Sequence, residues 1–132
     1  MSATVVASDI RVGSLRISCY EVPVDGPDGK EADGTLEWSS TTVVVVEAEA
    51  DGRLGLGFTY GDAAASVLIR STLEPEVVGC DVLRPPAAWA RMQRRMRNAG
   101  RPGVAQTAIS AVDVALWDLK AKLLDVRAGS EA

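Results

Sequence analysis

The sequence predicts an α+β fold: a three-stranded antiparallel meander followed by three α-helices. Three observations carry this. The runs Thr41 to Ala50 and Arg53 to Tyr60 flank Asp51-Gly52, a strong hairpin-turn dipeptide. A third alternating run, Leu15 to Val22, precedes them. After Tyr60 the apolar period lengthens to three and four, ending in the amphipathic stretch Val104 to Leu124. Strands first and helices afterwards is the order of an α+β domain.

Each element has its own signal. In the first strand Leu15, Ile17 and Cys19 alternate with Arg16, Ser18 and Tyr20, and Pro23 ends it. Val24 to Gly34 is dense in Gly, Asp and Pro and predicts a long irregular loop. In the central strand Thr42, Val44, Val46 and Ala48 share one face; Val43, Val45, Glu47 and Glu49 share the other. The returning strand puts Leu54, Leu56, Phe58 and Tyr60 on one side and Gly55 and Gly57 on the other, where something can approach the backbone closely.

The first helix is expected from Ala63 to about Leu73, capped by Asp62 and closed by Pro75. Pro85-Pro86 opens a second helix running to about Asn98. After a loop at Asn98 to Gly103 comes the third helix, with the stripe Val104, Ala108, Ala111, Val112, Ala115, Leu116, Leu119 and Leu123. The Val43 to Val46 segment is apolar on both faces. The helices can cover one face; the other needs the N-terminal segment Thr4 to Ile10, another domain or another subunit.

Composition narrows the function classes. At 132 residues the chain is one domain and cannot hold a (β/α)8 barrel of roughly 250 residues. It has no histidine, which removes Ser-His and Cys-His nucleophile pairs and His-ligated zinc. No apolar run is long enough to span a membrane, and the first residues lack a signal-peptide pattern. Cys19 and Cys80 read as small buried residues of a cytoplasmic protein. Charge is uneven: from Glu21 to Asp51 Lys30 is the only base, whereas from Val82 to Val112 every charge is an arginine.

Three segments, Thr41-Thr-Val-Val-Val-Val-Glu47, Asp51-Gly-Arg-Leu-Gly-Leu-Gly-Phe-Thr-Tyr-Gly61 and Ala108-Ile-Ser-Ala-Val-Asp-Val-Ala-Leu-Trp-Asp-Leu-Lys-Ala-Lys-Leu-Leu124, occur in that order. Together they resemble the N-terminal capping domain of the enolase superfamily, mandelate racemase / muconate lactonizing branch. The resemblance runs from about Leu15 to Leu124. It leaves 1–14 as an N-terminal segment and 125–132 as a polar tail where the barrel would begin. It implies a cap over a barrel that holds Mg2+, removes a proton next to a carboxylate and acts on carboxylic or sugar acids as a racemase or dehydratase.

The resemblance implies two lids, Val22 to Ser40 and Phe58 to Ala63, with Val22, Asp33, Trp38, Thr59 and Tyr60 as substrate-facing residues. Tyr60 stays open between strand-end packing and a lid contact. Beyond Leu124 the family continues as Gly-x-Pro, whereas this chain reads Asp125-Val-Arg-Ala and ends at Ala132. It is therefore expected to be a cut-short cap with no catalytic residue, no metal ligand and no cofactor of its own. The alternative is a free-standing module that self-associates or pairs with a separate barrel subunit. A small lyase using carboxylates alone is a third, weaker reading.

Several tempting motifs read as structure. Lys120 and Lys122 cannot act as a catalytic Lys-x-Lys pair, because on a helix they lie about 200° apart; they read as solvated charges favouring the helix dipole. Gly55-Leu-Gly57 lacks dinucleotide-loop spacing. Asp25, Asp28, Glu31 and Asp33 fail the EF-hand pattern and read as an acidic lid. Arg91, Arg94, Arg95, Arg97 and Arg101 read as a solvated helix face, not a nucleic-acid site. Asp113 and Asp118 are expected in pairing between helices or with a barrel, Trp117 in the core or an interface, and Trp89 in packing.

Overall fold

The structure, a computed structural model, describes residues 9–24 and 29–126. Strand β1 (Ser14–Pro23) is followed by a short ribbon, β2 (Glu31–Ala32) and β3 (Glu37–Trp38). Strands β4 (Ser40–Ala50) and β5 (Arg53–Tyr60) complete an antiparallel sheet in the order β1-β4-β5. Asp51 and Gly52 both have positive φ, 50° and 75°, the conformation of a type I′ hairpin turn whose twist matches the strands it joins.

The helices follow. Segment α1 (Ala64–Leu68) passes through a π turn, Ile69–Leu73, into α2 (Glu74–Val77). Asp62 accepts the Ala64 N–H at 2.8 Å as its cap. Pro75 does not close this helix as expected. The winding restarts at Glu74, and Pro75 falls in the first turn of the new segment, where a missing N–H is tolerated. The chain turns away at Val78 and Gly79, the latter at φ 89°.

Helix α3 (Pro85–Arg95) ends one turn earlier than the sequence suggested, and α4 (Gln106–Leu123) is the longest element. Val104 leaves the expected stripe because Pro102 and Gly103 just before it are non-helical; it is exposed. Ile109 and Ala121 join the buried face of α4.

The core lies between the inner sheet face and the helices. Val44, Val46, Ile69, Leu73, Met92, Ile109 and Leu119 are all fully buried there. Each large apolar side chain buried in this way contributes roughly 1.5–3 kcal/mol. Helix α4 crosses β5 and β4 so closely that Gly55 and Gly57 are obligatory. A Cβ on Gly57 would meet the carbonyl of Ala111 and lie 2.7 Å from the Ala115 nitrogen; one on Gly55 would lie 2.5 Å from the Leu119 nitrogen. What approaches the glycine side of β5 is the domain's own helix.

Both sheet edges are tied by side chains. Arg70 Nη2 donates to the carbonyl of Ile17 on β1 at 2.8 Å. On β5, the Leu56 N–H donates to Asp118 Oδ2 at 2.8 Å, and Lys122 Nζ donates to the Leu54 carbonyl at 2.7 Å. Ile10 to Gly13 packs on the helix side: Val12 is buried, its N–H bonds the Cys80 carbonyl, and Ile10 touches the core. Residues 4–8, which the sequence offered as a cover for the outer sheet face, lie outside the described residues. That face exposes Tyr20, Val22, Leu54, Leu56, Phe58 and Tyr60.

The expectation that both cysteines are buried is corrected. Cys19 is exposed, because β1 is an edge strand whose second half runs beyond its buried residues Leu15 and Ile17. Cys80 is half-buried, and burial pushes its thiol pKa up. Trp89 and Trp117 are both more than two-fifths exposed, at 45% and 43%. Trp117 does not enter the core; its ring lies under Lys120 Nζ at 5.1 Å.

Candidate functional site

The roots of the two lid segments meet at one end of the sheet. Val22 pairs with Thr41, Pro23 with Ser40, Val43 with Tyr60 and Val44 with Thr59. The Val24 N–H donates to the Ser39 carbonyl at 2.8 Å, and Ser40 Oγ donates to Glu21 Oε1 at 2.8 Å. On the other side the Gly61 N–H donates to the Thr42 carbonyl at 3.2 Å. Antiparallel pairing through β4 therefore brings two segments some twenty residues apart in sequence to one rim.

The five residues expected to face substrate sit differently. Val22 and Tyr60 stand on the outer face, 42% and 61% exposed. The Tyr60 ring meets Phe58 edge-on, with centroids 5.8 Å apart. Thr59 points to the inner side, half-buried, and its hydroxyl donates to the Tyr60 carbonyl at 3.1 Å. Trp38 closes the ribbon, pairing with Glu31 two residues before β4 begins.

Asp33 stands at the turn of the ribbon and is engaged locally. Its Oδ1 accepts from the Thr35 N–H at 2.9 Å, Thr35 Oγ1 at 2.7 Å and the Leu36 N–H at 2.8 Å. The Leu36 and Thr35 hydrogen bonds pull its pKa down to about 2. The loop expected to be irregular is thus partly ordered by one Asx-type turn. Residues 25–28, which include Asp25 and Asp28, lie outside the described residues. Leu36, 70% exposed at the tip of the same turn, escaped the sequence reading; an isolated Leu between Thr35 and Glu37 was its signal.

The acidic residues of α4 are structural. Asp118 pairs with Lys122 at 2.8 Å as well as with the Leu56 N–H, so within this domain it binds the sheet and not another helix. Lys122 is correspondingly a clamp on the β5 edge and not a solvated flank charge. Burial pushes the Asp113 carboxyl above its ordinary range, and the Trp117 side chain pulls the other way. Among the described residues no three Cys, Asp or Glu side chains converge to hold a metal ion. Among the same residues no helix is long and apolar enough to cross a membrane.

An α+β domain with two loop segments rooted at one sheet end is what this geometry defines. The profile of the mandelate racemase / muconate lactonizing enzyme N-terminal domain matches residues 29–127, and the chain belongs to that family. A crystal structure of a mandelate racemase/muconate lactonizing enzyme-like protein from Rubrobacter xylanophilus superposes with a TM-score of 0.82 at 56% identity, over 86% of this chain and 31% of that one. The 3,6-anhydro-α-L-galactonate cycloisomerase of Streptomyces coelicolor is 36% identical over 110 residues, 80% of this chain and 30% of that enzyme. L-Talarate dehydratase from Polaromonas sp. JS666, crystallised with Mg and L-glucarate, has a TM-score of 0.75 at 29% identity, over 88% of this chain and 33% of that one. The chain thus spans about a third of the length of the relatives it matches.

Proposed function

We propose that this chain is the lid-bearing cap of a Mg2+-dependent racemase, cycloisomerase or dehydratase acting on sugar acids or related carboxylic acids. The carrying observation is the shared rim: Val22, Thr59 and Tyr60 come from two segments but stand at one end of one sheet, and Trp38, in the β2-β3 ribbon, lies two residues before β4. In this reading Val22, Trp38 and Tyr60 wall the substrate and exclude water, while Thr59 and Asp33 hold the lid backbones in shape. In this reading proton abstraction and Mg2+ belong to a barrel of the kind the relatives carry. The two unpaired cysteines support a cytoplasmic setting.

The test is a chimera in which this chain replaces the matching N-terminal segment of the Streptomyces coelicolor cycloisomerase. It should be active, and Trp38→Ala or Tyr60→Ala should raise KM by about tenfold or more. The chain by itself, with Mg2+ in D2O, should exchange no proton beside the carboxylate of any sugar acid. An active chimera indifferent to all of Val22, Trp38 and Tyr60 would remove these residues from the site.

A second reading, a module that associates with another copy or with a separate barrel subunit, is favoured by the outer sheet face. Tyr20, Leu54, Leu56, Phe58 and Tyr60 form an apolar surface there. Arg70, Asp118 and Lys122 occupy backbone groups on the β1 and β5 edges, which favours a partner that meets the face over one that extends the sheet.

A further inference from the structure

Away from the lid rim, α2 and α3 enclose an open cleft of about 420 Å3 lined by Glu76, Arg91, Arg94, Arg95 and Arg97. We propose that this cleft binds a compact dianionic oxyanion of the phosphate type, free or as the terminal phosphate of a small metabolite. The site is independent of the lid function above and shares no residue with it.

Arg91, Arg94 and Arg95 are three and four residues apart on α3, so they share one face. Like charges at that spacing destabilise a helix, and an ordinary solvated face relieves them with interspersed acids. Here the sequence has no acid from Val82 to Val112. Among the described residues Glu76, from α2, is the one carboxylate lining the cleft, against four guanidinium groups. It holds two of them loosely, Arg91 Nη2 at 3.4 Å and Arg95 Nε at 3.9 Å. Those distances leave most guanidinium N–H groups without a strong acceptor.

The other two arginines make the site asymmetric. Arg97 Nη1 donates to the Arg94 carbonyl at 3.0 Å, which fixes its stem near the end of α3. The Arg94 guanidinium has no partner among the described residues. The α3 C-terminus favours cations in its last turn but offers carbonyls and no full negative charge.

Arginine in every position narrows the ligand. The planar fork suits bidentate bonds to phosphate and carboxylate oxygens, which a set of lysines would not favour. A local charge of three positives in excess over Glu76 favours a dianion over a monoanion. The cleft is open, so it selects by charge and donor geometry and leaves room for a small organic group on the phosphate.

The test uses the full chain with inorganic phosphate as the probe, at low salt and with sodium chloride matched for ionic strength. Phosphate should move the Arg91, Arg94, Arg95 and Arg97 Nε–H NMR signals along saturable curves, and chloride should not. Binding should strengthen from pH 6 to pH 8 as phosphate becomes dianionic. Arg94→Gln with Arg97→Gln, neither of which pairs with Glu76, should keep the fold and weaken binding by roughly tenfold or more. Glu76→Gln should tighten it, an effect that a purely structural role for the cluster does not produce. A phosphate monoester added in place of the free ion distinguishes the two sources: equal binding means that the headgroup alone is read. Non-saturable shifts, an unchanged double variant, or tight length-dependent binding of nucleic acid instead of phosphate would each overturn the proposal.

Discussion

The Asp118 carboxylate accepts the backbone N–H of Leu56, 62 residues earlier, at 2.8 Å, and holds Lys122 at the same distance. Lys122 in turn donates to the Leu54 carbonyl. One turn of α4 thereby docks on alternate residues of the β5 edge. Asp118→Ala should lower stability by about 1–3 kcal/mol, since it orphans a backbone donor and frees Lys122. Asp118→Asn, which keeps an acceptor, should cost less.

The same clamp has a pH signature. Partial burial pushes the Asp118 carboxyl up, but the Lys122 ammonium and the Leu56 N–H outweigh it, and the group titrates below 3.8. A depressed native pKa adds stability that is fully present above the unfolded value and is lost as pH falls through the native one. Urea midpoints for wild type and Asp118→Asn should therefore differ at pH 6 and converge as pH falls below the ordinary carboxylate range.

Gly57→Ala tests the contact between β5 and α4. The new methyl would collide with the Ala111 carbonyl and the Ala115 backbone, neither of which can rotate away. We expect a loss of about 2–3 kcal/mol, read as a lower Tm, with the helical circular dichroism retained at low temperature. Gly34→Ala, at an open position with φ 92°, should cost less, because strain at positive φ is its main penalty.

Asp33 should govern the order of the first lid. Its three accepted hydrogen bonds persist above the ordinary carboxylate value of 3.8 and are lost as pH falls towards its native value of about 2. The amide signals of Thr35 and Leu36 should broaden over that window while those of β4 stay sharp. Asp33→Ala should give the same broadening at neutral pH.

The outer sheet face predicts concentration-dependent association of the chain. Sedimentation should reveal a reversible larger species, and Phe58→Glu, a change at a 54% exposed residue, should remove it with little effect on Tm. A strictly monomeric wild type at high concentration would count against the interaction-module reading.

Much of the fold was legible because its signals are local. Period-two alternation marked Val44, Val46 and Ala48 as one face, and Asp51-Gly52 declared its turn. The three to four spacing of Ala108, Ala111, Val112, Ala115 and Leu119 marked the buried stripe of α4. The lid segments were placed by resemblance, since nothing in the composition of Trp38 or Tyr60 separates a substrate wall from a strand end. Pro75 misled because its effect depends on where the helix restarts, which the preceding π turn sets.

From the sequence by itself came the element order, the hairpin, the inward faces and the family resemblance, all written within windows of a few residues. Tertiary structure decided that the glycine side of β5 receives α4, that Asp118 and Lys122 serve the sheet edge, and that Glu76 faces four arginines across a cleft. The reason is physical. Periodicity tells which way a side chain points, but only packing of distant segments fixes what stands opposite it.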